Sequence, residues 1–424
     1  MKVCVLGLGY IGLPTASFLA TKGFEVDGVD VNSSVVDTIN RGEVHIYEPS
    51  LDILLKSAVQ SGRLKAHTSP TKADIYIVAV PTPFRENHLP DLSYVESATR
   101  TLAPYLSDKS LVILESTSPV GTTERMAEII AEKRPDLHVP KFRSQQAAPS
   151  SKPSIYLAHC PERVLPGQIL KELVENDRII GGIDGPSTEI ACNFYRSFVN
   201  GQIFPTDSRT AELTKLVENS FRDVNIAYAN ELSLICDKID INVFELISLA
   251  NRHPRVNILQ PGPGVGGHCI AVDPWFIVAT APEEARLIRT AREVNDFKPH
   301  YILKKILEKA AKFKNPTIAC LGIAFKPNID DLRESPSLEI VKSLAEKNIG
   351  QVLVVEPNIK QLPSSLTKLG SNKLFLVSLE KALEEADIVV LLVDHTPFYG
   401  VSAEILKEKV VIDTRGVWKS TTHT

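Results

Sequence analysis

The first thirty residues constrain the fold more than any other stretch. A short apolar run, Val3-Cys4-Val5-Leu6, leads into Gly7-Leu8-Gly9-Tyr10-Ile11-Gly12, and a second β-branched run closes on Asp30. A glycine turn between a strand and a helix, with an acidic residue at the end of the next strand, is the fingerprint of a dinucleotide-binding βαβ unit. Gly7 permits the tight turn, Gly9 lets the main chain approach a pyrophosphate at the helix N-terminus, and Gly12 permits close helix-strand packing. Tyr10 and Ile11 complete the cofactor-facing turn. Asp30 can accept hydrogen bonds from an adenosine ribose and would repel a 2′-phosphate, so the expected cofactor is NAD.

The rhythm that starts here continues. Apolar runs at Val3 to Leu8, Glu25 to Asp30, Ile75 to Val80, Leu111 to Ser116 and Arg178 to Ile183 alternate with amphipathic stretches, the pattern of a doubly wound parallel sheet. From Ser208 to about Asp237 the period changes to that of one long helix, and a second helix is expected over Val243 to Asn251. The Pro/Gly-rich stretch Pro254 to Pro274 reads as a loop. The strand-helix rhythm resumes at Pro316 to Gly322, with a helix opening at Ser335-Pro336 and strands at Gln351 to Val355, Ile388 to Val393 and Val410 to Asp413. The expected fold is α/β, two Rossmann-like doubly wound parallel-sheet domains joined by a long central helix, with boundaries at 1–207, 208–310 and 311–424. Gly322 is not followed by a second G-x-G-x-x-G, so the second sheet is expected to hold another nucleotide rather than a dinucleotide of the standard kind.

Composition narrows the function. Basic and acidic side chains number 47 and 51, so the chain lacks the basic excess of a nucleic-acid binder, and an anionic ligand must be met locally. The N-terminus reads as a buried strand rather than a signal peptide, and no apolar run approaches the ~20 residues of a membrane span, so a cytoplasmic, non-membrane protein is expected. The six cysteines, at 4, 160, 192, 236, 269 and 320, show no C-x-x-C spacing. No metal site is expected, and all but Cys269 read as small buried hydrophobes. The polar stretch Lys141 to Pro153 reads as a surface insertion with no assigned role.

Cys269 differs because of what precedes it: Pro261-Gly262-Pro263-Gly264-Val265-Gly266-Gly267-His268. Glycines at this density let amides point inward and a substrate lie against the main chain, and a cysteine leaving such a loop is placed to act as a nucleophile. His268 reads as part of the loop rather than as a base. Lys215 and Asn219, four apart on one helix face, are either solvated surface or donors to a developing oxyanion. Asp273 and Glu162 are each either a general base or a capping or ion-pair carboxylate.

At these residues the chain resembles the UDP-glucose/GDP-mannose dehydrogenase family, and the resemblance covers essentially its whole length. Asn251 to Phe276, Glu218 to Glu231, Cys160 to Gly167 and Ala324 to Pro336 carry it. It implies an NAD-binding Rossmann domain, a central helix that forms a homodimer, and a C-terminal domain that holds a UDP-sugar. By position it makes Cys269 the nucleophile, Lys215 and Asn219 the oxyanion donors, Asp273 their partner in proton handling, Glu162 the base for thioester hydrolysis, and Thr117 the residue that positions water. It places Pro81, Thr82, Thr117 and Arg333 at the cofactor, and Arg163, Val164, Arg255, Gly264, Gly266, Gly267, Lys326 and Arg415 at the substrate. Ile270-Ala271-Val272-Asp273 replaces the proline-lysine segment of the UDP-glucose branch and points to a UDP-N-acetylhexosamine. The expected reaction is a four-electron oxidation of UDP-N-acetyl-D-mannosamine at C6, in a route to a surface polysaccharide. UDP-N-acetyl-D-glucosamine and UDP-glucose are the alternatives by the same mechanism. A single-oxidation hydroxyacid-type dehydrogenase and a dinucleotide-sensing binding protein are the rivals of other kinds.

Overall fold

The computed structural model describes residues 1–85, 88–143, 152–165, 167–267, 269–370 and 372–418. The chain forms two compact units, Met1–Glu218 with Trp275–Pro282, and Asn219–Pro274 with Glu283–Thr424. His268 and most of the Lys141 to Pro153 stretch lie outside the described residues.

In the first unit, eight strands form one sheet: β1 (Lys2–Leu6), β2 (Glu25–Val29), β3 (Leu64–His67), β4 (Ile75–Val78), β5 (Leu111–Leu114), β6 (Tyr156–His159), β7 (Arg178–Gly182) and β8 (Ile203–Asp207). Their order is β3-β2-β1-β4-β5-β6-β7-β8, parallel except where β6 meets β7. The order reverses between β1 and β4, and a doubly wound sheet binds ligands in the crevice at the carboxyl ends of such strands. Alternate residues of β1 feed opposite cores: Val3 and Val5 join one cluster, Cys4 and Leu6 the other. Burial on both faces is why β1, β4 and β5 read as unbroken apolar runs. The helix Gly12–Thr21 is buried from Gly12 to Ala20 and is accordingly apolar nearly all round.

The second unit has its own five-stranded parallel sheet: β9 (Thr317–Leu321), β10 (Gln351–Val355), β11 (Leu374–Leu376), β12 (Ile388–Leu391) and β13 (Val410–Asp413), in the order β11-β10-β9-β12-β13. It too buries both faces, Ile318 and Cys320 on one side and Ala319 and Leu321 on the other. The helix Pro336–Lys347 starts as expected, with Pro336 in its first turn and the Ser335 hydroxyl accepting from the Leu338 amide at 3.3 Å. The helices Ser208–Lys238, Val243–Ala250 and Arg286–Ala310 supply the rest of the scaffold.

Candidate active site

The glycine turn does what its spacing predicts. Gly7 has φ +91°, and a Cβ there would stand 2.5 Å from the Ala79 carbonyl oxygen; a Cβ at Gly12 would stand 1.7 Å from the Gly7 oxygen. Both positions therefore exclude any side chain. Gly9, by contrast, faces open space within 4 Å. Asp30 is fixed by two amides, Leu8 N at 3.1 Å and Asn32 N at 2.9 Å, which orient its carboxylate beside the turn. An open main chain at a helix N-terminus, next to an oriented carboxylate at the switch point, fits the pyrophosphate and ribose of NAD. The β4 and β5 ends are tied together: the Thr82 hydroxyl donates to the Thr117 carbonyl at 2.5 Å and the Ser116 hydroxyl to the Val80 carbonyl at 2.8 Å. Pro81, Thr82 and Thr117 thus share one rim of that crevice.

Glu162 follows β6 and is 7% exposed. Arg178 Nη1 donates to its Oε2 at 2.9 Å, and the Arg163 amide to its Oε1 at 2.7 Å. The Arg163 side chain pairs with Glu218 at 2.7 Å, while Val164 is half-buried against the core. Sequence reasoning missed the group behind Glu162. Glu115, at the end of β5, is 2% exposed and accepts from the Tyr195 hydroxyl at 2.6 Å. Burial, and then the charge of Glu162, push the Glu115 carboxyl up to about 7 against the opposing pull of Arg178 and Tyr195. The available signal was a carboxylate ending an otherwise apolar run, Leu111 to Leu114.

In the second unit, the glycine loop is packed too closely for side chains. A Cβ at Gly262 would lie 2.5 Å from Arg415 Nη1, and one at Gly266 would lie 2.4 Å from the Glu334 carbonyl oxygen. Gly264 and Gly267 have φ +144° and +80°, with Pro336 and the Phe325 ring against them. The loop and the Ala324 to Pro336 stretch are therefore one packed assembly. Asn230 anchors its start, accepting from the Gly262 amide at 2.9 Å and donating to Asn295 at 2.8 Å; Asn295 in turn donates to Asp223 at 2.8 Å, and Arg292 to Asp223 at 2.5 Å. This buried network was not singled out from the sequence, because isolated Asn residues on a helix carry no pattern.

Cys269 emerges exposed from this loop, whereas the other five cysteines are buried. Burial pushes the Cys4, Cys160 and Cys320 thiols up to about 12, so they are inert. The Cys269 carbonyl accepts from the Asp273 amide at 2.9 Å, starting the helix Asp273–Thr280, and Asn219 Nδ2 donates to Asp273 Oδ2 at 2.5 Å. Asn219, Cys269 and Asp273 are thus brought together. Lys215 lies one turn before Asn219 on the helix Ser208–Lys238 and is half-buried. Among the basic residues, Arg415 donates to Asp394 at 2.7 Å and to the Pro261 carbonyl at 3.4 Å, and Arg333 pairs with Asp331 at 2.6 Å. Lys326 and Arg255 are exposed. No helix among the described residues is long and apolar enough to cross a membrane.

Three domain families match the chain, all of the UDP-glucose/GDP-mannose dehydrogenase family: the NAD binding domain over residues 1–199, the central domain over 209–297 and the UDP binding domain over 319–420. The chain is 59% identical to the UDP-N-acetyl-D-mannosamine dehydrogenase of Campylobacter jejuni, over 95% of this chain and 97% of that one. It is 58% identical to the NDP-N-acetyl-D-galactosaminuronic acid dehydrogenase of Ralstonia nicotianae, over 99% and 96% respectively. Among solved structures, the UDP-D-ManNAc dehydrogenase of Pyrococcus horikoshii superposes with a TM-score of 0.84 at 41% identity, covering 99% of this chain and 96% of that one.

Proposed function

The chain belongs to the UDP-glucose/GDP-mannose dehydrogenase family of NAD-dependent nucleotide-sugar dehydrogenases, and from that premise we propose that it oxidises UDP-N-acetyl-D-mannosamine at C6 to the uronate through a thioester on Cys269. The observation that carries the reading is the exposed Cys269 leaving a glycine loop whose Cβ positions are filled, with Asp273 held on Asn219.

Gly7, Gly9, Gly12 and Asp30 hold the cofactor, with Tyr10, Ile11, Pro81, Thr82, Thr117 and Arg333 around it. Bound NAD supplies the hydride acceptor for both oxidations. In the first, the Lys215/Asn219/Asp273 group takes the C6 hydroxyl proton as the C–H bond breaks, leaving an aldehyde. Cys269 Sγ then adds to the aldehyde carbon, and Lys215 and Asn219 stabilise the alkoxide that forms. The thiohemiacetal retains a C–H bond, so a second oxidation gives the thioester. Glu162 takes a proton from water, placed by Thr117, as that water attacks the thioester carbon; the carbon–sulfur bond breaks and Cys269 leaves as thiolate. Per sugar, two NADH and three protons are released. Arg163, Val164, Arg255, Lys326 and Arg415, with the amides of Gly264, Gly266 and Gly267, hold the UDP-sugar.

The division into 1–207 for NAD, 208–310 for the central helix and the Cys269 loop, and 311–424 for UDP belongs to the same reading. So does a homodimer: Leu213, Val217, Phe221, Tyr228 and Ile235 are all exposed and fall on one stripe of the helix Ser208–Lys238. A cytoplasmic location goes with the NAD supply and with a nucleophile that must stay reduced. A galacto-configured UDP-N-acetylhexosamine is the second reading, favoured by the 58% identity to the Ralstonia relative.

The test is NADH released per mole of limiting UDP-sugar, with the N-acetylated manno, gluco and galacto compounds and UDP-glucose in parallel. Two NADH with the manno compound alone is expected, and Cys269→Ser should abolish the uronate. Two with another epimer reassigns the sugar. One NADH, or a Cys269→Ser enzyme that still makes uronate, refutes the covalent route.

A further inference from the structure

Behind Glu162 lies a set of buried polar side chains to which the reaction just described gives no task. Glu115, Arg178 and Tyr195 are each at most 2% exposed. Their contacts form a chain. The Tyr195 hydroxyl donates to Glu115 Oε1 at 2.6 Å, and the Arg178 guanidinium lies 5.8 Å from the Tyr195 ring centroid. Arg178 Nη2 donates to the Leu173 carbonyl at 3.1 Å and its Nη1 to Glu162 Oε2 at 2.9 Å. His159 and Cys160, which lead into Glu162, are fully buried, and His159 is neutral because burial pushes its imidazole down to about 3.

A buried ion pair seldom outperforms apolar packing of the same volume, so retaining two carboxylates around one guanidinium suggests a positional role. Four atoms in the group have no hydrogen-bond partner: Glu115 Oε2, Arg178 Nε and both ring nitrogens of His159 leave the donors and acceptors incompletely matched. What the group does achieve is to fix both oxygens of Glu162, one on Arg178 and one on the Arg163 amide.

We propose that Glu115, Tyr195 and Arg178 form a positioning relay that orients the Glu162 carboxylate toward the water that cleaves the thioester, and so govern the hydrolytic half of the reaction while leaving the two oxidations alone. Glu115 holds the Tyr195 hydroxyl, the Tyr195 ring and Leu173 carbonyl hold the guanidinium, and the guanidinium holds Glu162. The inference rests on the covalent reading above and assigns residues to one step of it. Glu115, Tyr195 and Arg178 touch no reacting atom.

The experiment measures two quantities on the full-length enzyme with saturating NAD and UDP-sugar: the rate of the NADH burst, and the fraction of protein carrying the acyl group on Cys269, read by intact mass after acid quench. Tyr195→Phe, Glu115→Leu and Arg178→Lys are compared with wild type. The expected result is a burst within twofold of wild type, a steady-state rate lowered at least tenfold, and acyl-enzyme as the main species, with Glu115→Gln recovering most of the rate because its amide oxygen still accepts from Tyr195. Tyr195→Phe keeps the packing, so the test survives if the Arg178 variant fails to fold. Equal slowing of burst and steady state without acyl-enzyme overturns the relay, as does a Glu115→Leu enzyme that hydrolyses at the wild-type rate. If acyl-enzyme forms in wild type but does not rise in the variants, the relay alone falls. If no variant carries an acyl group and Cys269→Ser still makes uronate, the covalent reading falls and takes the relay with it.

Discussion

Replacing Glu115 by Gln should make the stability of the first unit less sensitive to pH, by an amount the structure sets. The carboxyl sits among Glu162, Arg178, Tyr195 and Cys160, and burial, with the Glu162 charge, raises it from 4.5 to about 7. Between those values the unfolded chain has released the proton that the native state still holds. The unfolded state then binds fewer protons, so stability falls as pH rises, until the native carboxyl also ionises near 7. From pH 5 to pH 8 this one group removes about 2–3 kcal/mol of stability, at roughly 1.4 kcal/mol for each pH unit of difference. Glu212, also raised to about 7 by burial, acts in the same sense, and His159, lowered to about 3, acts oppositely. Both are present in wild type and variant and cancel in the difference. Gln cannot ionise and keeps the acceptor for Tyr195. The gap in melting temperature between Glu115→Gln and wild type should therefore widen in favour of the variant by about 5–10 °C from pH 5 to pH 8, given roughly 2–4 °C per kcal/mol for a domain of this size. Scanning calorimetry in matched buffers measures it. A gap that stays constant across that range would mean Glu115 ionises as an ordinary carboxylate and would refute the reasoning.

Two further outcomes follow from the geometry. Asp30→Ala should raise KM for NAD about 10- to 100-fold, the loss of charged-group hydrogen bonds worth about 1.5–3 kcal/mol, and should admit NADP; initial rates with both cofactors check this, and an unchanged preference would remove Asp30 from the ribose site. Phe221→Glu, in the exposed stripe of the helix Ser208–Lys238, should weaken the dimer roughly 100-fold or more, since about 1.5–3 kcal/mol of apolar burial is lost in each copy; light scattering over a concentration series would show monomer, and an intact dimer would move the interface elsewhere.

What was legible in the sequence was whatever a local pattern encodes. The β1 and β5 runs are apolar throughout because both faces are buried, and the turn glycines stand at the fixed spacing of a strand-to-helix turn, so period and spacing were enough, although the Ala79 carbonyl that excludes a side chain at Gly7 lies far away in the chain. The strands that went unmarked lack that signal. β8 carries Pro205 and has no buried residue, β3 alternates at an edge, β11 has three residues, and β6, Tyr156–His159, is a four-residue run without a β-branched side chain. At the site, Cys269 announced itself through four glycines, whose exclusion of side chains the packing explains. Glu115, Arg178 and Tyr195 come from three separate strand and helix segments, and Asn230, Asn295 and Asp223 from two helices. Such groups acquire meaning only when tertiary folding brings them together, and the antiparallel β6-β7 step that sets Arg178 beside Glu162 has no local signature.

The two halves also show how one backbone device can be turned to different ligands. Gly7 donates to the Val29 carbonyl at 2.8 Å and Leu8 to Asp30 at 3.1 Å; Gly322 donates to the Val355 carbonyl at 2.8 Å and Ile323 to Glu356 at 2.8 Å. The strand-turn-carboxylate geometry is thus repeated. In the first half a helix begins at Gly12, so the turn delivers amides and a helix dipole to a pyrophosphate. In the second half the chain runs irregularly from 323 until the helix at Pro336, and Glu356 also accepts from the Ala324 amide, from Asn358 and from the buried His395. Its oxygens are engaged by protein and are not offered to a ribose. The irregular stretch instead carries Lys326 and Arg333 as exposed side chains. A phosphate meeting that stretch would find a cationic side chain, the exposed Lys326, rather than a helix N-terminus, whereas Arg333 is already forked onto Asp331 at 2.6 Å.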